Sequence, residues 1–274
     1  MLTSFSIKSL YALALAEGEG MGTAYEYYVK RMALGRFLND RPRPQSILIA
    51  GLPEKYGVSL DFLLLATEVG AKATVIDNRP AALERLNGAL QTLAGMPGAP
   101  SITPPVHQVL ADLDSLGALD GRYDLVLSSE VLQRLSPAGR QSFVGRLSHS
   151  AAAVALFCPN ADNEAHNSRS GLGGLTLGEI QALTTDDRPQ TAAKLAGGSR
   201  PSSVVGRLSS SGFIDMPPFP PGITRSAEQR EEATSGRFEA LVMWGLGRYA
   251  HVERYLPGGV RRRQSHIVYA FIGG

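Results

Sequence analysis

The chain has 274 residues, 43% of them hydrophobic, with 27 Lys+Arg against 25 Asp+Glu for a formal net charge of +2. This length suits one large domain, and the apolar share excludes wholesale disorder. The near-neutral balance argues against a nucleic-acid partner held by phosphate neutralisation, since Arg261-Arg262-Arg263 is the one basic cluster.

Residues 1–44 read as helical, split by a glycine-rich hinge from Gly18 to Gly22. The opening apolar stretch is short and lacks a basic leading region, so it reads as a first helix rather than a secretion signal. Thr23-Ala24-Tyr25-Glu26 has the spacing of a capping box and predicts that a helix restarts there. Arg41-Pro42-Arg43-Pro44 links this region to a series of short apolar runs alternating with helical segments. Residues 46–50 form the first buried strand, ending at Gly51, and residues 73–76 form the second, ending at Asp77. Pro80 opens a helix whose Leu83, Leu86, Leu90 and Leu93 share a face. Residues 106–110 are a weaker third strand, ending near Asp112. Residues 123–127 are a fourth, ending at Ser128-Ser129-Glu130. Ser136-Pro137 begins a helix with Phe143, Val144 and Leu147 as its apolar stripe, and residues 151–157 are a fifth strand.

Beyond Asn160 the chain is polar and rich in Gly and Ser, with a short helix begun by Thr176. A further helix is expected to about Ser210, then a sixth strand over 212–216, stopped by the prolines of 217–221. Residues 224–255 read as a long helical segment, and 266–272 as a final strand. In that helix Trp244 lies apart from the stripe of Phe238, Leu241, Val242, Leu246 and Tyr249. Core packing, a cover for an active site, a surface that binds an apolar acceptor and a homodimer surface are its four readings. No window reaches the ~18 apolar residues of a membrane span. Cys158 is the only cysteine, which excludes an intrachain disulfide, fits a reducing cytoplasmic setting and reads as a small packed hydrophobe.

Strand and helix alternation predicts a doubly wound parallel α/β sheet with right-handed crossovers, so the carboxyl ends of all five strands share one edge. Ligands of such sheets bind outside those ends. Gly51, Asp77, Asp112 and Ser129-Glu130 are thereby expected to converge.

These residues resemble the class I S-adenosylmethionine-dependent methyltransferases, well over about residues 45–160 and more loosely afterwards. The closest correspondence is Thr74-Val75-Ile76-Asp77-Asn78-Arg79-Pro80. In the resembled family an acidic residue there accepts hydrogen bonds from both ribose hydroxyls, chemistry that a carboxylate supplies with acceptors alone. The resemblance implies cofactor contacts from Asp77, Asn78 and Arg79, and from Ala50, Gly51 and Leu52 at the end of the first strand. It also implies adenine recognition by Asp112 and Leu113, with Ser129 and Glu130 lining the methyl-transfer edge.

The glycine loop departs from the pattern: Ile49 stands at the usual acidic position, and Pro53 and Lys55 stand where glycines are usual. Lys55 or Tyr56 is then the expected contact for the methionine carboxylate. An NAD(P)-dependent oxidoreductase fits less well, because its glycine signature would fall on Gly51, Pro53 and Tyr56. Met216-Pro217-Pro218-Phe219 imitates an amine-methylation signature but lacks the amide or carboxylate that would hold a planar amine.

His166 is a candidate general base. Tyr25, with Tyr27 and Tyr28, either caps the pocket or simply packs. The resemblance further implies seven strands in the order 3-2-1-4-5-7-6 with the last antiparallel. It implies an N-terminal helical lid (1–44) on a Rossmann-like domain (45–274), with a helical insertion at about 224–256. Methyl transfer to a small or moderately apolar acceptor, with S-adenosylmethionine as cofactor and no nucleic-acid partner, is the expected function. A non-catalytic, methyltransferase-like scaffold is the alternative.

Overall fold

The computed structural model describes residues 5–54, 57–113, 122–184, 207–218 and 237–273. Among them seven strands form one sheet: β1 (Ser46–Ala50), β2 (Lys72–Asp77), β3 (His107–Leu110), β4 (Tyr123–Ser129), β5 (Ala151–Pro159), β6 (Leu208–Ile214) and β7 (Ile267–Gly273). Their order is β3-β2-β1-β4-β5-β7-β6, as the resemblance implies. The first five run parallel, and β7 lies antiparallel to both β5 and β6.

Alternate residues of each strand face opposite layers. Ile47, Ile49, Leu125, Leu127, Ala155 and Phe157 join a core shared with α1 (Ile7–Ala16), α2 (Met21–Leu38), α3 (Leu60–Val69) and α4 (Pro80–Gly95). Leu48, Ala50, Val126, Val154 and Leu156 join a second core with α5 (Pro137–Ser150). Three shorter elements follow β4 and β5: a 3-10 turn (Leu132–Arg134), α6 (Glu164–Ser170) and α7 (Leu177–Ala182). Then come α8 (Arg237–Glu253) and α9 (Gly258–Gln264), between β6 and β7.

Local signals decide most boundaries. Pro80 occupies the first turn of α4, and Ser136 caps α5 by accepting from the Gly139 N–H. The hinge lies where expected, with Gly18 at φ +78° between α1 and α2. Two expectations need correction. Thr23 and Glu26 do not cap a helix: α2 starts at Met21, which puts both inside it, and Glu26 pairs with Lys30 one turn on. The helix expected to run to about Ser210 is strand from Leu208, because that segment finds β7 as an antiparallel partner, Leu208 opposite Ile272 and Ile214 opposite Ile267. Pairing across the sheet outweighs local propensity here. Of the long helical segment expected over 224–255, residues 224–236 lie outside the described residues; in α8, Leu246 and Ala250 are buried while Leu241 and Trp244 face outward.

Candidate functional site

The carboxyl edge of the sheet carries the strained backbone of the molecule. Among the described residues, the non-glycine residues at positive φ are Ser59 (60°), Glu130 (55°) and Asp215 (66°). They precede α3, follow β4 and follow β6, all at this edge. Left-handed backbone costs a non-glycine residue ~1–2 kcal/mol, so the fold holds these positions against local preference.

Two groups of polar residues sit here. The first surrounds Asp77, fully buried at the end of β2 rather than exposed on a turn. Its Oδ2 accepts from the Leu52 N–H at 2.7 Å, and its Oδ1 from the Arg79 N–H at 2.8 Å and Arg79 Nε at 2.9 Å. Arg79 and Arg134 each also donate an Nη2 to Oδ2, at 3.0 and 3.2 Å. Burial opposes the Asp77 charge, but the bonds from Arg79 and Leu52 and the Arg134 charge outweigh it and hold the carboxyl below its ordinary value. Gly51, at φ +81°, closes this group. A Cβ there would lie 2.5 Å from Val131 Cγ2, 3.1 Å from Arg134 Nη2 and 3.3 Å from Leu113 Cδ1.

The second group lies between α2 and the ends of β4, β6 and β7. Lys30, fully buried, donates to Glu26 and, at 2.8 Å, to Ser129 Oγ. Burial works against its charge, but Glu26, Asp61 and Glu130 outweigh it and hold the ammonium above its ordinary value. The converse holds for the carboxyls: burial pushes Asp61 up to about 7 and Glu130 up to about 8. Asp61 has no hydrogen-bond partner on either oxygen, nor has Glu130 on Oε2. His266, at the head of β7, donates through Nδ1 to Asp215 Oδ2 at 3.0 Å. Burial disfavours the imidazolium, yet Asp215, Glu26 and Glu253 hold His266 above its ordinary value. Asn160 fixes this strand start by donating to the carbonyls of Arg262 (2.7 Å) and Ser265 (2.9 Å).

The structure thus brings Ala50, Gly51, Leu52, Asp77, Arg79, Leu113, Ser129 and Glu130 to one edge. Ser128 ties the ends of β1 and β4 together by donating to the Ala50 carbonyl at 2.8 Å. Asn78 and Asp112 are exposed on the flank. Lys55 and Tyr56 lie outside the described residues. His166 sits on α6, its ring stacked on His266 with centroids 4.1 Å apart. Tyr25 is fully buried and donates to Glu253 Oε2 of α8 at 2.5 Å. Cys158 is buried in the second core, where burial pushes its thiol up.

Sequence reasoning missed Glu26, Lys30, Asp61, Arg134, Asp215 and His266. The three α2 and α3 residues sit among apolar neighbours on helices packed on several sides, so helical period does not mark them as facing inward. Arg134 follows the Ser-Ser-Glu-Val-Leu segment closely, which was its one signal.

Among solved structures the chain is similar to the plantazolicin methyltransferase BpumL in complex with a pentazolic desmethylPZN analog and S-adenosylhomocysteine (SAH), at 14% identity over 97% of each chain and a TM-score of 0.51. The complex of BpumL with a monoazolic analog and SAH gives 14%, 97% of this chain and 96% of that one, and 0.50. Magnesium protoporphyrin IX methyltransferase (ChlM) from Synechocystis PCC 6803 with bound SAH gives 14%, 92% and 84%, and 0.48. The likeness is one of fold. No family model matches the sequence, and no curated protein does.

Proposed function

We propose that the chain transfers a methyl group from S-adenosylmethionine to a small acceptor. The observation that carries this reading is Asp77, a buried carboxylate at the end of β2 that is joined to the β1 loop through the Leu52 N–H. The donor set suits the cofactor: Asp77 offers acceptors to ribose hydroxyls, Gly51 keeps the loop free of a side chain, and Leu113 supplies an apolar wall. When bound, the cofactor supplies an activated methyl on a positive sulfur. The chain's own task is then alignment and removal of one proton. Asp77 would exchange the Arg134 guanidinium for the ribose. Arg134 is the mobile partner in this exchange, because its Nε and Nη1 are buried without partners. His266 suits the removal of that proton. Asp215 holds its Nδ1 as the donor, which leaves Nε2 as the basic nitrogen.

The saturation of Asp77 by two arginines, with Val131 packed over Gly51, favours the scaffold reading instead. Titration with SAH decides between the two. Ligand at 100-fold its Kd adds ~2.7 kcal/mol of stability, which for a chain of this size raises Tm by ~5–11 °C. An unmoved Tm at millimolar SAH ends the methyl-transfer reading and leaves the scaffold.

A further inference from the structure

Helix α8 has two unlike faces. Leu246 and Ala250 are buried in the core shared with α1 and α2. Glu253, at the helix end, accepts from the Tyr25 hydroxyl and the Met216 N–H at 2.5 and 3.1 Å, so this face fixes α8 to the rest of the molecule. The opposite face is apolar and open: Leu241, Trp244 and Val252 are 62%, 61% and 54% exposed. With Arg248 they recur at steps of three, four and four, which keeps them on one helical stripe. Tyr255, 73% exposed, extends the stripe into the turn that follows, where its N–H still bonds the Val252 carbonyl at 2.9 Å. Large apolar side chains in one exposed line mark a surface that meets something other than water.

Charge identifies the partner. From Ala240 to Gln264 the one acidic residue is Glu253, and it is buried. Over the same span Arg248, Arg254, Arg262 and Arg263 are exposed. Arg262 pairs with Asp162, and the other three have no carboxylate partner among the described residues. Arg248 stacks on the Trp244 ring at 5.3 Å and Arg254 on the Tyr255 ring at 4.5 Å. Arg261 of α9 approaches the Arg254 carbonyl at 3.5 Å, which sets the basic run beside the end of the stripe. Leu, Trp, Val and Tyr in line, flanked by arginines alone, suit the boundary of an anionic bilayer. The apolar side chains enter the acyl boundary while the guanidinium groups stay among the phosphates. A second copy fits poorly, since a two-fold antiparallel pairing centred on this stripe brings two Arg248 side chains together with no exposed acid to answer them. A nucleic acid would use the arginines and the rings but leave Leu241 and Val252 in water.

We propose that α8 binds in the plane of membranes rich in anionic lipid, through the stripe from Leu241 to Tyr255 and the arginines around it. Trp244 is the only tryptophan of the chain, so its fluorescence reports on the stripe directly. The full chain is titrated with vesicles of phosphatidylcholine alone and of phosphatidylcholine mixed with an equal part of phosphatidylserine, without SAH. Trp244 emission is expected to shift to the blue on the mixed vesicles. Co-sedimentation should show binding at least about tenfold tighter to them than to phosphatidylcholine, a modest scale for three unpaired arginines near anionic headgroups. Leu241→Ser with Val252→Ser should weaken that binding by at least about tenfold. Arg248→Gln with Arg254→Gln should remove the preference for the mixed vesicles. All four positions are exposed, so folding is not at stake. An unmoved emission on the mixed vesicles, equal affinity for the two lipids, or binding unchanged in both pairs of variants overturns the proposal. So does a dimer in sedimentation velocity that Leu241→Ser with Val252→Ser dissolves, in the absence of vesicle binding, because the stripe would then belong to a second copy. A fluorescence response to single-stranded DNA and not to vesicles overturns it equally.

Discussion

Gly57 is held by what surrounds it. It sits at φ +68°, and a Cβ there would overlap the Glu17 carboxylate and come within 2.5 Å of the Tyr27 hydroxyl. Those two groups are themselves bonded at 2.5 Å, and Glu17 also accepts from the Val58 and Leu60 N–H groups at 2.7 and 2.9 Å. Gly57→Ala is therefore expected to cost ~1–2 kcal/mol for the backbone and ~1–3 kcal/mol more for the disturbed bonds. Urea unfolding measures it, and a loss below 1 kcal/mol would mean the loop shifts freely. At Asp77 the same residue bears on binding and on folding. Asp77→Ala strands Arg134 and part of Arg79, so it should destabilise the protein by ~2–3 kcal/mol. That is less than the ~3–5 kcal/mol of a fully buried pair, because the Arg79 side chain remains 28% exposed. Asp77→Asn should fold better and still bind SAH less tightly; unchanged SAH affinity in it would remove Asp77 from the site. The acid after β2 was legible from the sequence as a strand end, whereas its two arginine partners come from separate turns and carry no shared spacing.

At the level of elements, α2 decides how the edge is closed. It buries Tyr25, Tyr27, Lys30 and Arg31 together, and Arg31 pairs with Glu68 of α3. Glu17, just past α1, reaches the loop before α3 and also accepts from Tyr27 of α2, so the N-terminal helices are joined to that loop by polar contacts over a shared apolar core. The lid hypothesis for residues 1–44 takes a definite form from this. SAH is expected to slow amide exchange over residues 15–30, since a ligand that bridges α2 to the strand ends raises the cost of opening. Exchange that is slow and identical in both states would make the segment fixed scaffold. The same helix shows why patterning has limits. Its outward and inward faces are both mixed, so a periodicity that marks α4 and α5 well says little about which side of α2 meets the sheet.

For the molecule as a whole, the raised carboxyls set the pH dependence of stability. Burial pushes Glu17 and Glu130 from 4.5 to about 8 and Asp61 from 3.8 to about 7. The folded state therefore keeps protons that the unfolded chain has released. The stability from these groups is fully present below about pH 4 and is lost progressively as pH rises to about 8. Asp77, Asp124 and Glu179 act in the opposite sense, since their lowered values favour the fold above pH 4 and that contribution fades below it. Stability should peak near pH 5. The urea midpoint is expected to fall from pH 5 to pH 8.5, and Asp61→Asn should flatten the slope. A midpoint that rises over this range would show that the three carboxyls are ionised in the folded protein.

The sequence by itself determined the α/β alternation, the positions of β1, β2, β4 and β5, and the starts of α4 and α5. It also determined the convergence of Gly51, Asp77, Ser129 and Glu130. All of these follow from local signals: buried apolar runs, Pro80 and Ser136 at helix starts, and the handedness of crossovers. Only the tertiary structure decided that the sixth strand begins at Leu208 rather than near Gly212, since its partner β7 lies more than fifty residues away in the chain. It also decided that Arg134 stands on Asp77, that His266 has an aspartate partner, and that α2 turns Glu26 and Lys30 inward. Charge on a side chain is visible in a sequence. Whether that charge is buried, and what answers it there, depends on contacts between residues far apart in the chain, and local patterning carries no record of them.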